Sequence, residues 1–243
     1  MPENKLRIAA VGDLHVAEHS YQPHRDLFLA ASDQADILLL CGDLTNTGNP
    51  REAENLAFSL SQCKIPVIGV LGNHDHHAGR VDEIKNILSQ AKFKFLADET
   101  FVLGDIGFAG VKGFGGGFDK FMLGFFGEEA SKAFVTEAVN EALKLENALK
   151  QLDQQDLRKK IVVLHYAPIA ATIEGEPKEI YPFLGASRFA EVVDRFEKIE
   201  FVVHGHAHNA AHEGRTKTGI PVYNVSLEVL KKTTGKPFLV LEV

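Results

Sequence analysis

The sequence lacks the features that mark several large classes of protein. Its 243 residues include only two cysteines, Cys41 and Cys63, which excludes a disulfide framework. Because Cys41 lies within an apolar segment, we interpret it as a buried, reduced thiol. No run of about 18 apolar residues occurs, so no transmembrane helix is expected. Residues 1–12 are too short and too mixed in polarity for the apolar region of a signal peptide, and a cytoplasmic protein is the expectation.

Positive charge is scarce as well. The chain has 26 Lys and Arg residues against 33 Asp and Glu, a formal net charge of −7. Without a basic surface field, neither nucleic acid nor an anionic membrane is expected as a partner. A small phosphorylated substrate held through metal ions would be unaffected by this charge. The length, the 45% hydrophobic content and the lack of a linker-like segment predict a single domain over residues 1–243, with the oligomeric state left open.

Apolar segments alternate with helical patterns in the first part of the chain. Strands are predicted at 6–11, 36–41 and 67–71, and helices at 23–34, 50–62 and 81–90. Pro50 suits the first turn of the second helix, where its missing N–H costs nothing. Near-continuous apolar strands that alternate with helices indicate a central sheet with parallel strands, covered on both faces.

The second half of the chain carries a less regular pattern. A Gly-Asp turn between two short apolar runs predicts a β-hairpin over 101–110. Ser187 is expected to cap a short helix that ends near Phe196, and 170–186 is expected to be a loop. The remaining predictions are a helix at 128–155 and strands at 161–164, 201–203, 221–225 and 238–241. The last two strands suggest a second, antiparallel portion of sheet.

Residues 113–127 are rich in glycine and phenylalanine and have no clear period. Three interpretations stay open for this segment: a loop packed over the functional site, ordinary core contacts, or a contact between two copies of the chain. Substrate choice is expected to depend on this segment and on residues 170–186.

Polar side chains of the kind that bind metal ions follow five of the predicted strands. Ligands of open α/β sheets bind beyond the carboxyl ends of the strands, so residues far apart in sequence can meet at one edge. Taken singly, each residue is more simply a turn, a cap or a structural histidine; together they indicate one site. The residues are Asp13 and His15, Asp43 and Asn46, Asn73 to Asp75, His165, and His206 and His208.

The residue types indicate which metals such a site would hold. In Asp13-x-His15 and His206-x-His208, an extended backbone points both side chains the same way. Oxygen and imidazole ligands without thiolates suit Mn, Fe or Zn. The set is too large for a single ion, but is enough for two ions about 3.5–4 Å apart that share a carboxylate.

Taken in order, the five motifs resemble those of the calcineurin-like metallophosphoesterases. They are Asp13-x-His15, Gly42-Asp43-x-x-Asn46, Gly72-Asn73-His74-Asp75, His165 and Gly205-His206-x-His208. The resemblance implies a four-layer αββα sandwich of mixed sheets with a dinuclear metal site at the carboxyl ends of the strands. It assigns Asp13, His15, Asp43 and His208 to one ion, and Asp43, Asn73, His165 and His206 to the other. Asp43 would then bridge the two ions.

The resemblance also implies catalytic roles. His74 would contact the phosphate and protonate the leaving oxygen, while a hydroxide bridging the two ions would attack phosphorus. The protein-phosphatase branch of the family has an aspartate where this chain has Asn46, whose amide would orient His74 in its place. Asp75 is expected to cap or hydrogen-bond locally rather than to act directly. His76, His77 and His204 are surplus to the ligand set, and Tyr166 and His212 are candidate substrate-side groups.

The leading hypothesis is a metal-dependent hydrolase of phosphate esters, with phosphodiesters favoured over phosphomonoesters. The Gly-Asn-His-Asp and Gly-Asp-Leu-Thr-Asn forms resemble the small phosphodiesterase branches more than the protein phosphatases. The alternative is a non-catalytic metal-binding interaction module on the same fold, but such a module has no reason to keep His74. A nuclease is disfavoured by the acidic charge balance and by the lack of an appended DNA-binding domain.

Overall fold

Two β-sheets packed face to face form the centre of the molecule. A computed structural model of the chain describes residues 5–97 and 99–243. The first four residues of the segment considered above as a signal peptide lie outside these ranges. In chain order the strands are β1 (Arg7–Val11), β2 (Ile37–Cys41), β3 (Val67–Val70), β4 (Lys94–Phe95), β5 (Phe101–Leu103), β6 (Ile106–Val111), β7 (Lys159–Leu164), β8 (Ile199–His204), β9 (Glu213–Arg215), β10 (Pro221–Asn224) and β11 (Leu239–Glu242).

Helices and short helical turns connect these strands. The helices are α1 (Arg25–Gln34), α2 (Pro50–Leu60), α3 (Asn73–His76), α4 (Val81–Gln90), α5 (Glu129–Asp153), α6 (Tyr181–Leu184), α7 (Ser187–Val193) and α8 (Leu227–Thr234). Short 3₁₀ turns lie at Asp119–Phe121, Ala170–Ile173 and Lys178–Ile180. Within the described part of the chain, no helix combines the length and the hydropathy needed to cross a membrane.

The first sheet has the strand order β11-β1-β2-β3-β4. Strands β1 to β4 run parallel, and β11 lies antiparallel beside β1 at the edge. All residues of β2 and β3 are buried. This follows because α1 packs on β1 and β2 while the second sheet contacts β2 and β3 from the other side. The predicted parallel strands with both faces covered are confirmed.

The second sheet has the strand order β5-β6-β7-β8-β10-β9. Its four central strands run parallel, and its two edge strands, β5 and β9, are antiparallel to their neighbours. The edge pair β5 and β6 is the predicted hairpin, which is confirmed. Helix α5 packs on β6 and on α7, so these two helices cover the outer face of this sheet.

The main hydrophobic core lies between the two sheets. One cluster of buried side chains joins residues of the first sheet, such as Ile8 and Leu39, to residues of the second, such as Phe108 and Val163. A second cluster lies under the outer helices and includes Leu145 of α5. Helices, sheet, sheet and helices therefore form four layers, as the resemblance implied.

The second half of the chain departs from the predictions at three places. The apolar runs at 221–225 and 238–241 form no common antiparallel portion, because β10 lies in the second sheet and β11 in the first. Segment 170–186 contains short helical turns, each too short for a helical period to show in the sequence. Ser187 does not cap α7: the residue at that position is Ala186, and the Ser187 hydroxyl accepts a hydrogen bond from the Asp119 N–H (2.9 Å).

The packing predicts which apolar residues stabilise the fold. Leu39 is fully buried at the centre of β2, so Leu39→Ala should lower the free energy of unfolding by about 2–5 kcal/mol through lost contacts and a cavity. Leu143 is half exposed on α5, and Leu143→Ala should change it by less than about 0.5 kcal/mol. Urea denaturation followed by circular dichroism measures both values. Equal losses in the two variants would contradict the central position of β2.

Candidate metal centre

The polar residues predicted from the strand ends lie together at one edge of the molecule. Strands β1, β2 and β3 of the first sheet end at this edge, and so do β7 and β8 of the second. The two sheets pack face to face, with β2 and β3 against β7, so the carboxyl ends of these strands meet. The residues are Asp13 and His15 after β1, Asp43 after β2, Asn73 after β3, His165 after β7, and His206 and His208 after β8.

The donor atoms of these residues fall into overlapping groups. Within each group the donor atoms lie within 4.8 Å of one another, which is close enough to share an ion. The groups are Asp13, His15 and His208; His15, Asp43 and His74; and Asp43, His165 and His206. The middle group shares His15 with the first group and Asp43 with the last.

Asp43 has one carboxylate oxygen on each side of the site. Its Oδ1 atom lies 3.3 Å from Nε2 of His165, and its Oδ2 atom lies 3.8 Å from Nε2 of His15 and 3.9 Å from Nε2 of His74. Burial, followed by the charges of Asp13 and Asp75, raises the pKa of Asp43 to about 9. A buried carboxylate in this position is therefore unstable as an anion unless a cation is bound to it.

Two imidazoles beside Asp43, those of His165 and His206, are held in the neutral form that metal ligands need. Burial lowers the pKa of His165 well below its ordinary value, and burial followed by the charge of His165 lowers the pKa of His206 to about 3. His165 donates its Nδ1–H to the Cys41 carbonyl (2.9 Å), which leaves the lone pair of Nε2 facing Asn73 Oδ1 at 2.9 Å and Asp43. Such a carbonyl contact fixes the tautomer of a ligating histidine.

His15 tests whether this set of residues fits a metal ion. Both of its ring nitrogens are buried, and within residues 5–97 and 99–243 neither has a hydrogen-bond partner. A buried polar atom without a partner is unusual and calls for an explanation. A cation between His15, Asp13 and Asp43 explains it, since it would accept the lone pair of one nitrogen. The residues therefore fit the metal site that their order in the sequence predicts.

Four of the predicted ligands have a strained backbone. Non-glycine residues rarely adopt positive φ angles, and doing so costs roughly 1–2 kcal/mol. Strain of this kind concentrates at functional sites, where the surrounding structure holds it. The residues and φ angles are Asp13 (59°), His15 (44°), Asp43 (48°) and His206 (71°).

Two glycines of the motifs are required by the close approach of the aspartates. A Cβ atom at Gly72 would overlap the Oδ1 atom and the backbone nitrogen of Asp43. A Cβ atom at Gly205 would overlap the Oδ2 atom of Asp13. The glycines thus leave space for the two carboxylates.

Asp75 is fully buried and joins the loops after β2 and β3. It accepts hydrogen bonds from the backbone N–H groups of Leu44 (3.2 Å), Thr45 (2.7 Å) and Gly72 (2.8 Å), and from the Thr45 hydroxyl (2.6 Å). Only the bond to Gly72 is local, as predicted; the other three reach the loop after β2, about 30 residues away in sequence, so Asp75 joins two loops. Thr45 is a supporting residue that the sequence did not single out, although it lies within the second motif.

His74 is held by Asn46, but through a different atom from the one expected. The Nδ1–H of His74 donates to the backbone carbonyl of Asn46 at 2.6 Å, while the Asn46 side chain is exposed. The expectation that the amide orients His74 is therefore corrected. Any residue at position 46 supplies the same carbonyl, so the missing aspartate of the protein-phosphatase branch does not remove this contact. The His74 N–H also donates to Asp43 Oδ1 (2.9 Å).

The remaining histidines lie outside the donor groups. His76 and His77 are exposed. His204 is fully buried, where Nδ1 contacts the Gly205 carbonyl (2.8 Å) and Nε2 the Thr172 hydroxyl (2.7 Å). His212 donates to the Asn224 carbonyl (2.9 Å). The hydrogen bonds of His204 and His212 account for these two histidines without a role at the candidate metal centre.

Tyr166 and Phe183 border the site on the side of His206. The rings of Tyr166 and His206 have centroids 4.3 Å apart, and the Nε2–H of His206 donates to the Phe183 carbonyl (3.2 Å). Sequence reasoning named Tyr166 as a candidate but missed Phe183. A backbone carbonyl carries no signature in the sequence, so no signal would have revealed it.

The chain resembles known proteins in sequence and in fold. The model of the family described as calcineurin-like phosphoesterase matches residues 6–210. A probable cyclic nucleotide phosphodiesterase from Coxiella burnetii is 21% identical over 227 residues, which span 86% of this chain and 78% of that protein. Another from Synechococcus sp. is 23% identical over 186 residues, which span 75% and 62%. The phosphopantetheinyl hydrolase of Mycobacterium tuberculosis superposes with a TM-score of 0.71 at 14% identity, over 98% of this chain and 96% of that one, which shows the shared fold.

The glycine contacts predict how the site can be disturbed without touching a ligand. Gly72→Ala should displace the Asp43 carboxylate and weaken Mn²⁺ binding by at least about tenfold, a loss of about 1.4 kcal/mol. Gly124→Ala is the matched control, because no atom lies within 4 Å of the added Cβ. Isothermal titration with Mn²⁺ measures both variants. Unchanged affinity in Gly72→Ala would separate Asp43 from the metal site.

Proposed function

The chain belongs to the calcineurin-like phosphoesterase family, and we propose that it is a dinuclear, metal-dependent phosphodiesterase. The observation that carries this proposal is the position of Asp43 between two groups of donor atoms. The chain would act as one domain, since a single core joins both sheets. The proposed ligands are Asp13, His15, Asp43 and His208 for one ion, and Asp43, Asn73, His165 and His206 for the other.

Each part of the site has a distinct task in this proposal. Bound Mn, Fe or Zn ions would supply Lewis-acid activation of the phosphate and a water acidified to near-neutral pKa. Asp43 keeps the two groups of donors at a fixed separation through its two oxygens. The Cys41 and Phe183 carbonyls hold His165 and His206 in the orientation that ligation requires.

His74 is proposed as the general acid. Its Nδ1–H is held by the Asn46 carbonyl, so the ring directs Nε2 towards Asp43 and the centre of the site. A proton on Nε2 can then be donated to the oxygen of the departing alcohol, a contribution of typically about 10²–10⁴-fold in rate. The ring of His74 also lies against that of His15 (4.5 Å between centroids), on the side of the first donor group.

A preference for phosphodiesters is supported by the curated relatives. Both are named as probable cyclic nucleotide phosphodiesterases, at 21% and 23% identity. Their names suggest a small phosphodiester as the substrate class, in line with the Gly-Asn-His-Asp form of the third motif.

The proposed activity is tested with two chromogenic substrates. The Mn²⁺-loaded chain should hydrolyse bis-p-nitrophenyl phosphate with a higher kcat/KM than p-nitrophenyl phosphate, and EDTA should abolish both reactions. Release of p-nitrophenolate measures the rates. If the chain bound Mn²⁺ but hydrolysed neither compound, a non-catalytic interaction module would replace the proposed enzyme.

The role of His74 is separated from metal binding by substitution. His74→Asn should retain both metal ions and lower kcat for bis-p-nitrophenyl phosphate by about 10²–10⁴-fold, since it removes the proton donor. His77→Asn changes an exposed neighbour and should leave kcat unchanged. Metal content by mass spectrometry accompanies the kinetics. Loss of metal together with a normal rate per bound ion would make His74 a ligand.

The role of Asp43 as a shared ligand predicts a different result. Asp43→Asn should reduce the occupancy of both metal positions, because the same carboxylate serves both donor groups. Asp105 lies on the exposed β5–β6 turn, and Asp105→Asn is the control that removes the same charge elsewhere. Metal analysis after gel filtration gives the ion count per chain. Two retained ions in Asp43→Asn would remove Asp43 as the bridge.

A further inference from the structure

Exposed apolar side chains are concentrated in two short segments of the described chain, one of which contacts the candidate metal centre through the Phe183 carbonyl. Of the nine large hydrophobic residues exposed in the described part of the chain, six lie within two short segments, 121–126 and 180–183. Such a concentration on one surface marks an interaction site rather than chance exposure. The six are Phe121, Leu123, Phe125, Phe126, Ile180 and Phe183.

A row of aromatic rings connects this surface to the metal centre, and we call it the aromatic wall. It begins at Tyr166, whose ring packs on His206 (4.3 Å between centroids). It continues through Phe114 (5.8 Å from Tyr166) and Phe134 (4.8 Å from Phe114). It ends at Phe183, 6.0 Å from Phe134 and 59% exposed. The wall thus leads from a proposed ligand to solvent.

An apolar groove lies next to the outer end of the wall. Its volume is about 640 Å³, and its lining combines Phe118, Phe121, Tyr181 and Pro182 with the charged residues Asp119, Lys120 and Lys178. The Gly116 N–H donates to the Pro182 carbonyl (2.7 Å), so the glycine-rich segment and α6 are held side by side here. Pro182 lines the groove and the next residue, Phe183, ends the wall, so the two adjoin along the chain.

We propose that this surface binds a long apolar chain carried by the phosphodiester substrate. The inference rests on the proposed function, because the chain must be attached to a phosphate held at the metal centre. The position of Phe183 decides the occupant: its backbone carbonyl accepts the Nε2–H of His206, while its ring is 59% exposed, so a group bound on this ring lies next to the reacting phosphate. The inner rings of the wall, which end at the buried Tyr166, hold Phe183 in this place.

The geometry also assigns which ester group carries the chain. The departing alcohol must lie at His74, whose ring contacts His15 in the first donor group. The ring contacts of Tyr166 are with His165 and His206 of the last donor group, and with Phe114. The wall is therefore on the side of the ester group that stays on the phosphate. Aliphatic chains suit this surface, since rings and alkyl groups make up most of the exposed lining of the groove, beside the charged residues Asp119, Lys120 and Lys178.

Two substrates with one leaving group test the proposal. Methyl p-nitrophenyl phosphate and octyl p-nitrophenyl phosphate release the same p-nitrophenolate, so only the retained group differs. The full Mn²⁺-loaded chain is assayed with the octyl ester below its critical micelle concentration. Each fully buried methylene favours binding by about fourfold, and half-covered methylenes should raise kcat/KM for the octyl ester on the order of a hundredfold.

Two variants assign this preference to the aromatic wall. Phe183→Ser should lower the octyl-to-methyl ratio of kcat/KM by at least about threefold, with the metal content unchanged because the Phe183 backbone carbonyl is retained. Phe58→Ser is the matched control: Phe58 is 53% exposed on α2, away from the wall, and its loss should leave the ratio unchanged. A ratio below about tenfold in the wild-type chain, or equal losses in the two variants, would overturn the proposal.

Failure of the proposed function can be told apart from failure of this inference. If neither ester is hydrolysed, the proposed phosphodiesterase activity is wrong. The aromatic wall is then tested by binding alone: the Mn²⁺-loaded chain should bind octyl methylphosphonate more tightly than methyl methylphosphonate, by the ratio expected above for kcat/KM. Analytical ultracentrifugation tests the other possible occupant of the surface, a second copy of the chain. A dimer that Phe126→Ser dissociates, together with an octyl-to-methyl ratio near one, would assign the surface to a second copy and overturn the proposal.

Discussion

The buried carboxylate of Asp43 is the group on which the rest of the site depends. It lies between donor groups from both sheets, and no lysine or arginine forms an ion pair with it among the described residues. An isolated buried anion is costly, so the surrounding structure must supply space and rigid neighbours until a cation is bound. Gly72 supplies the space, and Asp75 ties the adjacent loops together through four hydrogen bonds. The positive φ angle of Asp43 adds a backbone conformational cost to the cost of burying its carboxylate.

Main-chain carbonyls orient three of the histidines, which affects how the site tolerates sequence change. His74, His165 and His206 donate to the carbonyls of Asn46, Cys41 and Phe183. A carbonyl is present whatever side chain its residue carries, so substitutions at these three positions can leave the orientation of the imidazoles intact. In this chain the Asn46 carbonyl holds His74 without a carboxylate at position 46.

The sequence predicted the strands and the donor residues better than it predicted the short helical turns and the placement of the last strands. Strand β2 is apolar throughout and was recognisable, and Asp43 directly after it stood out as a polar residue where a strand ends. The first turn of α3 and the 3₁₀ turns of 170–186 are too short to carry a period. The separation of β10 and β11 into different sheets depends on contacts between distant parts of the chain, which the pattern of either strand alone does not encode.

The contacts within the metal centre also span large distances along the chain. Cys41 and His165 are 124 residues apart, and Asp13 and His208 are 195 apart. Closing loops of this length costs conformational entropy, so these contacts depend on the rest of the fold to hold their partners together. The donor groups are complete only when both sheets are folded and docked. Ligand binding at this edge therefore requires both sheets in their native positions. A molecule in which either sheet is displaced lacks the complete set of donor residues and cannot bind the ligand.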